Sequence, residues 1–153
     1  MLWYKDNELE IDFSCMPAVF PRYPYFGMTE DELKSVEKYP FINKKDLRVQ
    51  FSDFKNNKVY QFYIPCGYCW DGASIPRIFW RLIGAPSDTK FLVPSLIHDV
   101  LCENHHYVDN DRYFANKVFE RLLYVSGVSA FSRWIMFHSV DTFQKYACRW
   151  RSK

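Results

Sequence analysis

The chain has 153 residues, a formal net charge of +2, 48% hydrophobic residues and 20% aromatic residues. That length suits one ordinary domain with a sizeable core, and the apolar content excludes a disordered chain. Because positive and negative charges are mixed along the chain, it lacks the basic surface of a nucleic-acid-binding protein. No stretch approaches the roughly 20 apolar residues that cross a bilayer. We therefore expect neither a nucleic acid nor a membrane as partner.

The start of the chain and its five cysteines bear on the compartment in which the protein works. Residues 1–6 lack the basic region followed by an apolar run that marks a signal peptide. We therefore expect the protein to stay in the cytoplasm where it is made. An odd number of cysteines fits poorly with a full set of disulfides, and cytoplasmic thiols are normally reduced. The sequence predicts five free thiols.

The first half of the chain carries the alternating pattern of β-strands. Apolar residues alternate with polar ones over 9–13 and 47–51, and residues 59–64 form a further β-prone run. The residues at 55–58 between the last two runs tolerate positive φ, which favours a tight turn. These three segments predict a strand followed by a β-hairpin.

Two other features lie between the first strand and the hairpin. The segment Pro17–Tyr25 holds three prolines and several aromatic residues, so we interpret it as an ordered loop rather than a strand or helix. Thr29 and Glu32 have the spacing of a capping box, which opens a helix. We predict that this short, exposed helix runs to about Lys38.

Beyond Pro65 the apolar residues recur at helical spacing, and four helices are predicted. Ser74 caps the first, which ends at Gly84. The second contains the apolar residues of 96–101. Pro94 has to lie in the first turn of this helix, since a proline further along would kink it.

The third and fourth helices follow from the same reasoning. Asp109 or Asp111 opens the third helix, and Gly127 stops it. Ser129 caps the fourth. The residues predicted along one side of the fourth helix are Phe131, Trp134, Ile135 and His138.

Together these elements predict an α+β fold, in which a small antiparallel sheet with a β-hairpin is followed by about four helices. We expect residues 1–153 to form a single domain. Residues 1–46 supply the first strand, the proline-rich aromatic loop and the short helix, and residues 47–148 form the core.

The stretch from Cys66 to Arg77 is the most distinctive in the chain. Small residues between Asp71 and Ser74 allow a tight turn and a close approach of the backbone to another group. One interpretation is structural: Asp71 and Ser74 fix a strand-to-helix turn, and Arg77 is the ion-pair partner of Asp71. In that case Asp71→Asn would strand a buried guanidinium and cost about 3–5 kcal/mol.

Two segments of the sequence resemble a known family. Asp-Gly-Ala-Ser-Ile-Pro-Arg at 71–77, followed by Trp80, and His-Asp-Val-Leu at 98–101 are similar to the signature of domain-of-unknown-function family thirteen fifty-three. The members of this family are small proteins of phages, prophages and bacteria. The resemblance covers about 59–143 and implies a fold and a phage context, but no established activity. Where the family usually has Ala-Asp, this chain has an amide at Asn116, which is a weaker ligand for a hard cation.

The His98-Asp99 doublet is a candidate for catalysis. Metal-dependent phosphohydrolases use such a doublet, but they also need a histidine upstream, and none of the four histidines here precedes His98. Asp71, His98 and Asp99 would still give three N and O ligands for a divalent metal with an open position for water. Ser74 and Arg77 would support this centre. In the alternative interpretation, the same residues form a structural polar network.

The cysteines offer a second candidate metal site. Cys66 and Cys69 have the spacing of a zinc-binding pair, and His98 and Cys102 lie one helical turn apart. Together the four would make a closed structural zinc site. Against this, a free cysteine is also a common small hydrophobic residue of protein interiors.

Two hypotheses of function remain open. In the first, the protein is a phage-type virion component or a module that binds a host protein through an aromatic surface. In the second, it is a small metal-assisted hydrolase with Asp71, His98 and Asp99 at its centre. We consider Ser74 a helix cap rather than a nucleophile, because the Gly-x-Ser-x-Gly elbow is absent. The first hypothesis predicts a phage or host protein as partner, inside the host cell or on the virion.

Overall fold

The computed structural model describes residues 1–72, 81, 88–104 and 111–146. The chain divides into two compact units, residues 1–71 and 72–153. The described strands and one helix belong to the first unit, and three further described helices belong to the second. The α+β class predicted from the sequence is therefore confirmed, while the single domain stays a prediction.

The first unit is built from two antiparallel sheets. Its strands are β1 Leu2–Lys5, β2 Leu9–Phe13, β3 Val19–Pro21, β4 Phe41–Asn43, β5 Leu47–Asp53, β6 Lys58–Ile64 and β7 Cys69–Trp70. One sheet has four strands in the order β1-β2-β5-β6, and the other has three in the order β3-β4-β7. The sequence predicted only one sheet, because a strand of two or three residues is too short to show an alternating pattern.

The predicted strand and hairpin are confirmed. β2 alternates between fully buried and half-buried residues, and it pairs with β5 from Leu9 opposite Asp53 to Phe13 opposite Val49. β5 and β6 are joined by a turn in which Asn57 has φ 53°, a conformation that asparagine tolerates well. The inner face of this sheet buries apolar side chains, among them Leu9, Ile11, Phe13, Leu47, Val49, Phe51 and Ile64.

The segment Pro17–Tyr25 was predicted to be a loop without regular structure, which is wrong in part. Its residues 19–21 form β3, whose one partner among the described strands is β4, so that β3 lies at the edge of the described sheet. Pro21 is compatible with that position, since an edge strand has backbone groups that need no partner strand. The remainder of the segment, residues 17–18 and 22–25, lies outside any strand or helix.

The short helix α1, Glu30–Lys38, has the predicted capping box. The Thr29 hydroxyl accepts a hydrogen bond from the Glu32 backbone N–H, and the Glu32 carboxylate accepts one from the Thr29 N–H. Only Val36 of this helix is buried. Its cap and acidic first turn therefore contribute a large part of what stabilises it.

The second unit contains α2 Thr89–Glu103, α3 Asp111–Val125 and α4 Ala130–Tyr146. α2 packs against α3, and α3 packs against α4. The helix predicted from Ser74 to Gly84 lies outside the described residues, apart from Arg81, which is helical. Residues that form one buried apolar cluster are Phe91, Phe119, Leu123, Val128, Met136 and Val140.

The sequence predicted the ends of these helices better than it predicted their interiors. Gly127, with φ 84°, ends α3 in a Schellman motif, and the Ser129 hydroxyl accepts a hydrogen bond from the Ser132 N–H at the start of α4. The prediction for Pro94 is wrong, because α2 begins at Thr89 and encloses the proline. Of the residues predicted along one side of α4, Ile135 is buried, whereas Phe131, Trp134 and His138 are exposed.

Candidate functional site

Of the predicted site residues Asp71, Ser74 and Arg77, the structure describes Asp71 alone. Asp71 is exposed and follows β7 directly. Ser74 and Arg77 lie outside the described residues, so the predicted ion pair with Arg77 and the cap at Ser74 stay predictions. Asp71 and His98 belong to different units of the chain, and their predicted meeting likewise stays a prediction.

His98 lies in the interior of the helical unit. It is 8% exposed, on a helix in which most side chains between Phe91 and Leu101 are buried. Its imidazole ring lies against the ring of Phe119 on α3, with the two centroids 4.9 Å apart. A histidine in such apolar surroundings needs a partner for its ring N–H, since an unpaired buried donor costs about 1–3 kcal/mol.

That partner is Asn116 on α3, which is 1% exposed. The Asn116 Oδ1 atom lies 3.1 Å from His98 Nε2, and the Asn116 amide nitrogen donates to the carboxylate of Asp141 on α4 at 3.2 Å. The same carboxylate oxygen of Asp141 lies 3.3 Å from Nε of Arg112. Side chains of three helices are thus joined in one chain of polar contacts.

The order of these contacts fixes the tautomer of His98. A carboxylate only accepts hydrogen bonds, so Asn116 must turn its NH₂ group toward Asp141 and its oxygen toward His98. His98 therefore carries its proton on Nε2, and Nδ1 keeps its lone pair. Burial lowers the pKa of His98 from 6.5 to about 4, an effect that the hydrogen bond to Asn116 opposes only in part. The neutral imidazole is the form present at neutral pH.

Cys102 lies one turn beyond His98 on α2, and its sulfur contacts the imidazole ring. The sulfur is 3.7 Å from Nδ1 and 3.8 Å from Nε2. Nearly equal distances to both nitrogens place the sulfur over the face of the ring, because a position in the ring plane would bring it too close to the carbon between them. We therefore interpret the contact as sulfur–aromatic packing. In this rotamer the thiol is not aligned with the Nδ1 lone pair.

The two halves of the predicted zinc site fall in different units. His98 and Cys102 are together on α2, as the sequence predicted. Cys66 and Cys69 lie at the turn into β7, where the Cys66 N–H donates to Asp46 at 2.8 Å and the Cys69 thiol donates to the Gly67 carbonyl at 3.3 Å. That first bond also lowers the pKa of the Asp46 carboxyl.

Within the described part of the chain, no group of three or more His, Cys, Asp or Glu side chains is placed to hold a metal ion. Asp99 is half-buried on the neighbouring face of α2. Of the described cysteines, Cys15, Cys66, Cys69 and Cys102 form no disulfide, and Cys148 lies outside the described residues. The metal-site predictions and the count of five thiols both stay predictions.

Sequence reasoning found His98 and singled out Asn116 as a departure, but missed the part that Arg112 and Asp141 have in the network. Arg112 and Asn116 are four residues apart, a spacing that places them on one face of a helix. This four-residue spacing is the signal in the sequence that could have linked Arg112 to Asn116. Asp141 is 25 residues beyond Asn116, and only the packing of α4 on α3 brings the two together.

A second feature of the molecule is residues 20–26 of the first unit, which comprise the last two residues of β3 and the loop that follows and which we call the aromatic loop. Four large rings on this loop are open to solvent: Phe20 is 51% exposed, Tyr23 74%, Tyr25 64% and Phe26 106%. The backbone of the loop is nevertheless held in place, because Arg22 N–H donates to the Pro40 carbonyl at 2.6 Å. The exposed rings are therefore presented on a fixed support.

These observations define a class of protein: an α+β protein that has a buried His–Asn pair between its helices and an exposed aromatic loop. The chain belongs to the family described as Protein of unknown function (DUF1353), whose model matches residues 47–140. This confirms the resemblance drawn from the motifs. The matched residues include His98 and Asn116 and exclude the aromatic loop.

Comparison with curated proteins gives one match of note, an uncharacterized protein, y4jT, of Sinorhizobium fredii (strain NBRC 101917 / NGR234). It is 34% identical over 80 residues, which cover 52% of this chain and 23% of that protein. The matched stretch is thus less than a quarter of the length of that relative. No solved structure matches the chain. None of the described helices combines the length and apolar character that crossing a membrane requires.

Proposed function

We propose that the protein is a binding module that captures another protein with its aromatic loop. The observation that supports this proposal is the exposure of Phe20, Tyr23, Tyr25 and Phe26. Leaving a large apolar side chain in water forgoes about 1.5–3 kcal/mol of burial free energy. Large exposed rings clustered on one loop are typical of a surface that is covered in a complex.

The fixed backbone of the loop favours the same conclusion. One guanidinium nitrogen of Arg22 donates to the Ser35 carbonyl at 3.3 Å, the Ser35 hydroxyl at 3.2 Å and the Tyr39 carbonyl at 3.0 Å. These bonds attach the loop to α1 before any partner arrives. Association then costs less ordering entropy than it would for a mobile loop.

Local charge favours a protein over a nucleic acid or an anionic membrane as the partner. The aromatic loop is followed closely by Glu30, Asp31 and Glu32, all of them exposed at the start of α1. Carboxylates in that position repel phosphate groups. Tyrosine and phenylalanine, by contrast, are enriched where proteins meet proteins. The resemblance to proteins of phages and prophages suggests a phage or host protein as the partner, and a place on the virion or inside the host cell.

A photo-crosslinking residue in place of Phe26, introduced in the bacterial host, tests the proposal. We expect one dominant protein adduct, identified by mass spectrometry. The matched control carries the same group in place of Phe54, which is 47% exposed at the hairpin turn of the same unit. Equal adducts from both positions, or none from position 26, would contradict the proposal.

Binding measurements with the identified partner complete the test. Replacing Tyr25 and Phe26 together by serine should weaken binding at least about 30-fold, the effect of losing about 2 kcal/mol at a hot spot. The melting temperature should stay unchanged, because both rings are exposed. Unchanged binding would count against the module. If instead a metal-dependent hydrolysis were lost in Asp99→Asn and kept in the double variant, the hydrolase hypothesis would replace this one.

A further inference from the structure

The four-stranded sheet has two edges, and they differ in how they are protected. At one edge, β1 has an irregular register between Leu2 and Tyr4, and Lys5 forms an ion pair with Glu10 at 3.1 Å. At the other edge, β6 spans seven residues with neither proline nor register shift. Among the described residues, no strand lies on the outer side of β6. An uninterrupted edge of this kind is a template for a further strand.

The hydrogen bonds of the neighbouring strands show which backbone groups of β6 point outward. Phe54 N–H donates to the Glu8 carbonyl and Ser14 N–H to the Arg48 carbonyl, each at 2.9 Å. In an antiparallel pair, hydrogen-bonded residues alternate along the strand. The even-numbered residues of β5 therefore face β2 and its odd-numbered residues face β6. It follows that the odd-numbered residues of β6 direct their N–H and C=O groups to the open edge: Val59, Gln61 and Tyr63.

We propose that two copies of this chain form a dimer by antiparallel pairing of their β6 strands about a two-fold axis at Gln61. In that register Gln61 lies opposite its own copy, and Val59 lies opposite Tyr63 of the second copy. Each of these pairs uses the outward N–H and C=O groups on both sides, as a hydrogen-bonded antiparallel pair requires. The four-stranded sheets of the two copies then become one continuous sheet.

The side chains of β6 are self-complementary in this register. On the outer face, Val59 is 63% exposed and Tyr63 57%, and each gains the other as a cross-strand neighbour. On the opposite face, Tyr60 lies opposite Phe62. Pairs of an aromatic with a β-branched residue, and of two aromatics, are among those that stabilise antiparallel strands. The only charged residue of β6 is Lys58, at its end and opposite Ile64, so no like charges face each other.

The same geometry limits assembly to two copies. A contact that places a strand opposite itself is isologous, so it is used up when the dimer forms. The irregular β1 at the far edge of each sheet does not offer an equivalent template.

Sedimentation equilibrium of the full chain, with two matched variants, tests the dimer. Gln61→Lys brings two ammonium groups together at the two-fold axis and should raise the dimer dissociation constant at least about tenfold, since facing like charges are strongly disfavoured. The control is Gln50→Lys. It breaks the same Gln61–Gln50 hydrogen bond of 2.8 Å and adds the same charge to the same face. In the proposed dimer, position 50 of one copy is three strand spacings, about 14 Å, from position 50 of the other copy. That separation exceeds the screening length of about 8 Å in physiological salt.

We expect a dimer for the wild type and for Gln50→Lys, and a monomer for Gln61→Lys at the same concentration. Matching far-UV circular dichroism spectra of the two variants would show that both fold alike, because a melting temperature would also respond to the difference in assembly. Hydrogen exchange adds a readout specific to this edge: the amides of Val59, Gln61 and Tyr63 should become protected as the concentration rises. A monomeric wild type, equal assembly of both variants, or a dimer in which these amides exchange freely would overturn the proposal. So would a monomer whose β6 amides are protected only by an added extended peptide.

Discussion

The aromatic loop and the interior of the helical unit use the same residue types in opposite ways. Phe26 on the loop is fully exposed, whereas Phe119, beside His98, is 1% exposed. Arg22 fixes the loop from below so that its rings face solvent. Asn116 and Asp141 instead satisfy the polar atoms around His98 within the packed helices. Aromatic content alone therefore does not distinguish a binding surface from a core. The hydrogen bonds made by the polar groups around the rings distinguish the two.

If His98 is a buried, neutral residue, acid should destabilise the helical unit. The folded protein holds the pKa of His98 at about 4, and the unfolded chain has the ordinary value of 6.5. Between these two values the unfolded chain binds a proton that the folded protein does not. Stability is therefore lost as the pH falls from about 6.5 to about 4, by about 3 kcal/mol in total.

Urea unfolding between pH 7 and pH 4 measures this effect, with His98→Gln as the control. Glutamine keeps an N–H donor for Asn116 but does not titrate. The carboxyl groups contribute equally to both proteins, so the difference between the two curves isolates His98. Parallel curves would show that His98 is open to solvent and would remove the contrast with the exposed loop.

A carboxylate at position 116 should reverse the behaviour of His98. In Asn116→Asp the charge lies next to Nε2, where the structure places the amide oxygen at 3.1 Å. An anion at that distance favours the imidazolium, so the pKa of His98 should rise by more than one pH unit above its wild-type value. An NMR titration of the His98 ring measures the midpoint.

The control for this variant is Asn104→Asp, which adds the same charge at the half-buried carboxyl end of α2. We expect a much smaller shift of the His98 midpoint there, because water screens a more distant charge. Equal shifts in both variants would mean that position 116 has no special access to the imidazole.

The smallest effect is expected at Asp71. From the sequence, Asp71→Asn was predicted to cost about 3–5 kcal/mol by stranding a buried arginine. Asp71 itself is exposed, and a surface substitution normally changes stability by less than about 0.5 kcal/mol. We now expect a melting temperature within about 2 °C of the wild type, measured side by side. A loss of the size first predicted would restore the structural interpretation of the 71–77 motif.

Local signals in the sequence were sufficient for some elements. Thr29 and Glu32 located the start of α1, Gly127 located the end of α3, and alternation located β2 and the β5–β6 hairpin. Each of these depends on residues close together in the chain. β4 and β7 were missed, because they lie far apart in the chain, with Phe41 opposite Trp70 and Ile42 opposite Cys69, and carry too few residues to show a period.

The residues of the candidate site divide in the same way, into those that nearby residues in the sequence identify and those that only packing brings together. His98 was found because it belongs to a recognisable doublet, and its position one turn from Cys102 followed from helical spacing. Which side of α4 faces the core could not be read from the sequence, since Trp134 and Ile135 are adjacent and both apolar. Helix packing decides that question, and the same packing brings Asp141 to Asn116.

The pairing of β2 with β5 bears on which residues of this family fold together as one unit. The family match begins at residue 47, the first residue of β5, yet β2 and β4, which pair with β5 and β7, come from the preceding 46 residues. The sequence boundary of the family thus runs through both sheets, and residues 47–140 alone would leave a central strand without its neighbour. In a relative that lacks a counterpart of residues 1–46, that side of β5 would be a sheet edge unless another segment or a partner covers it.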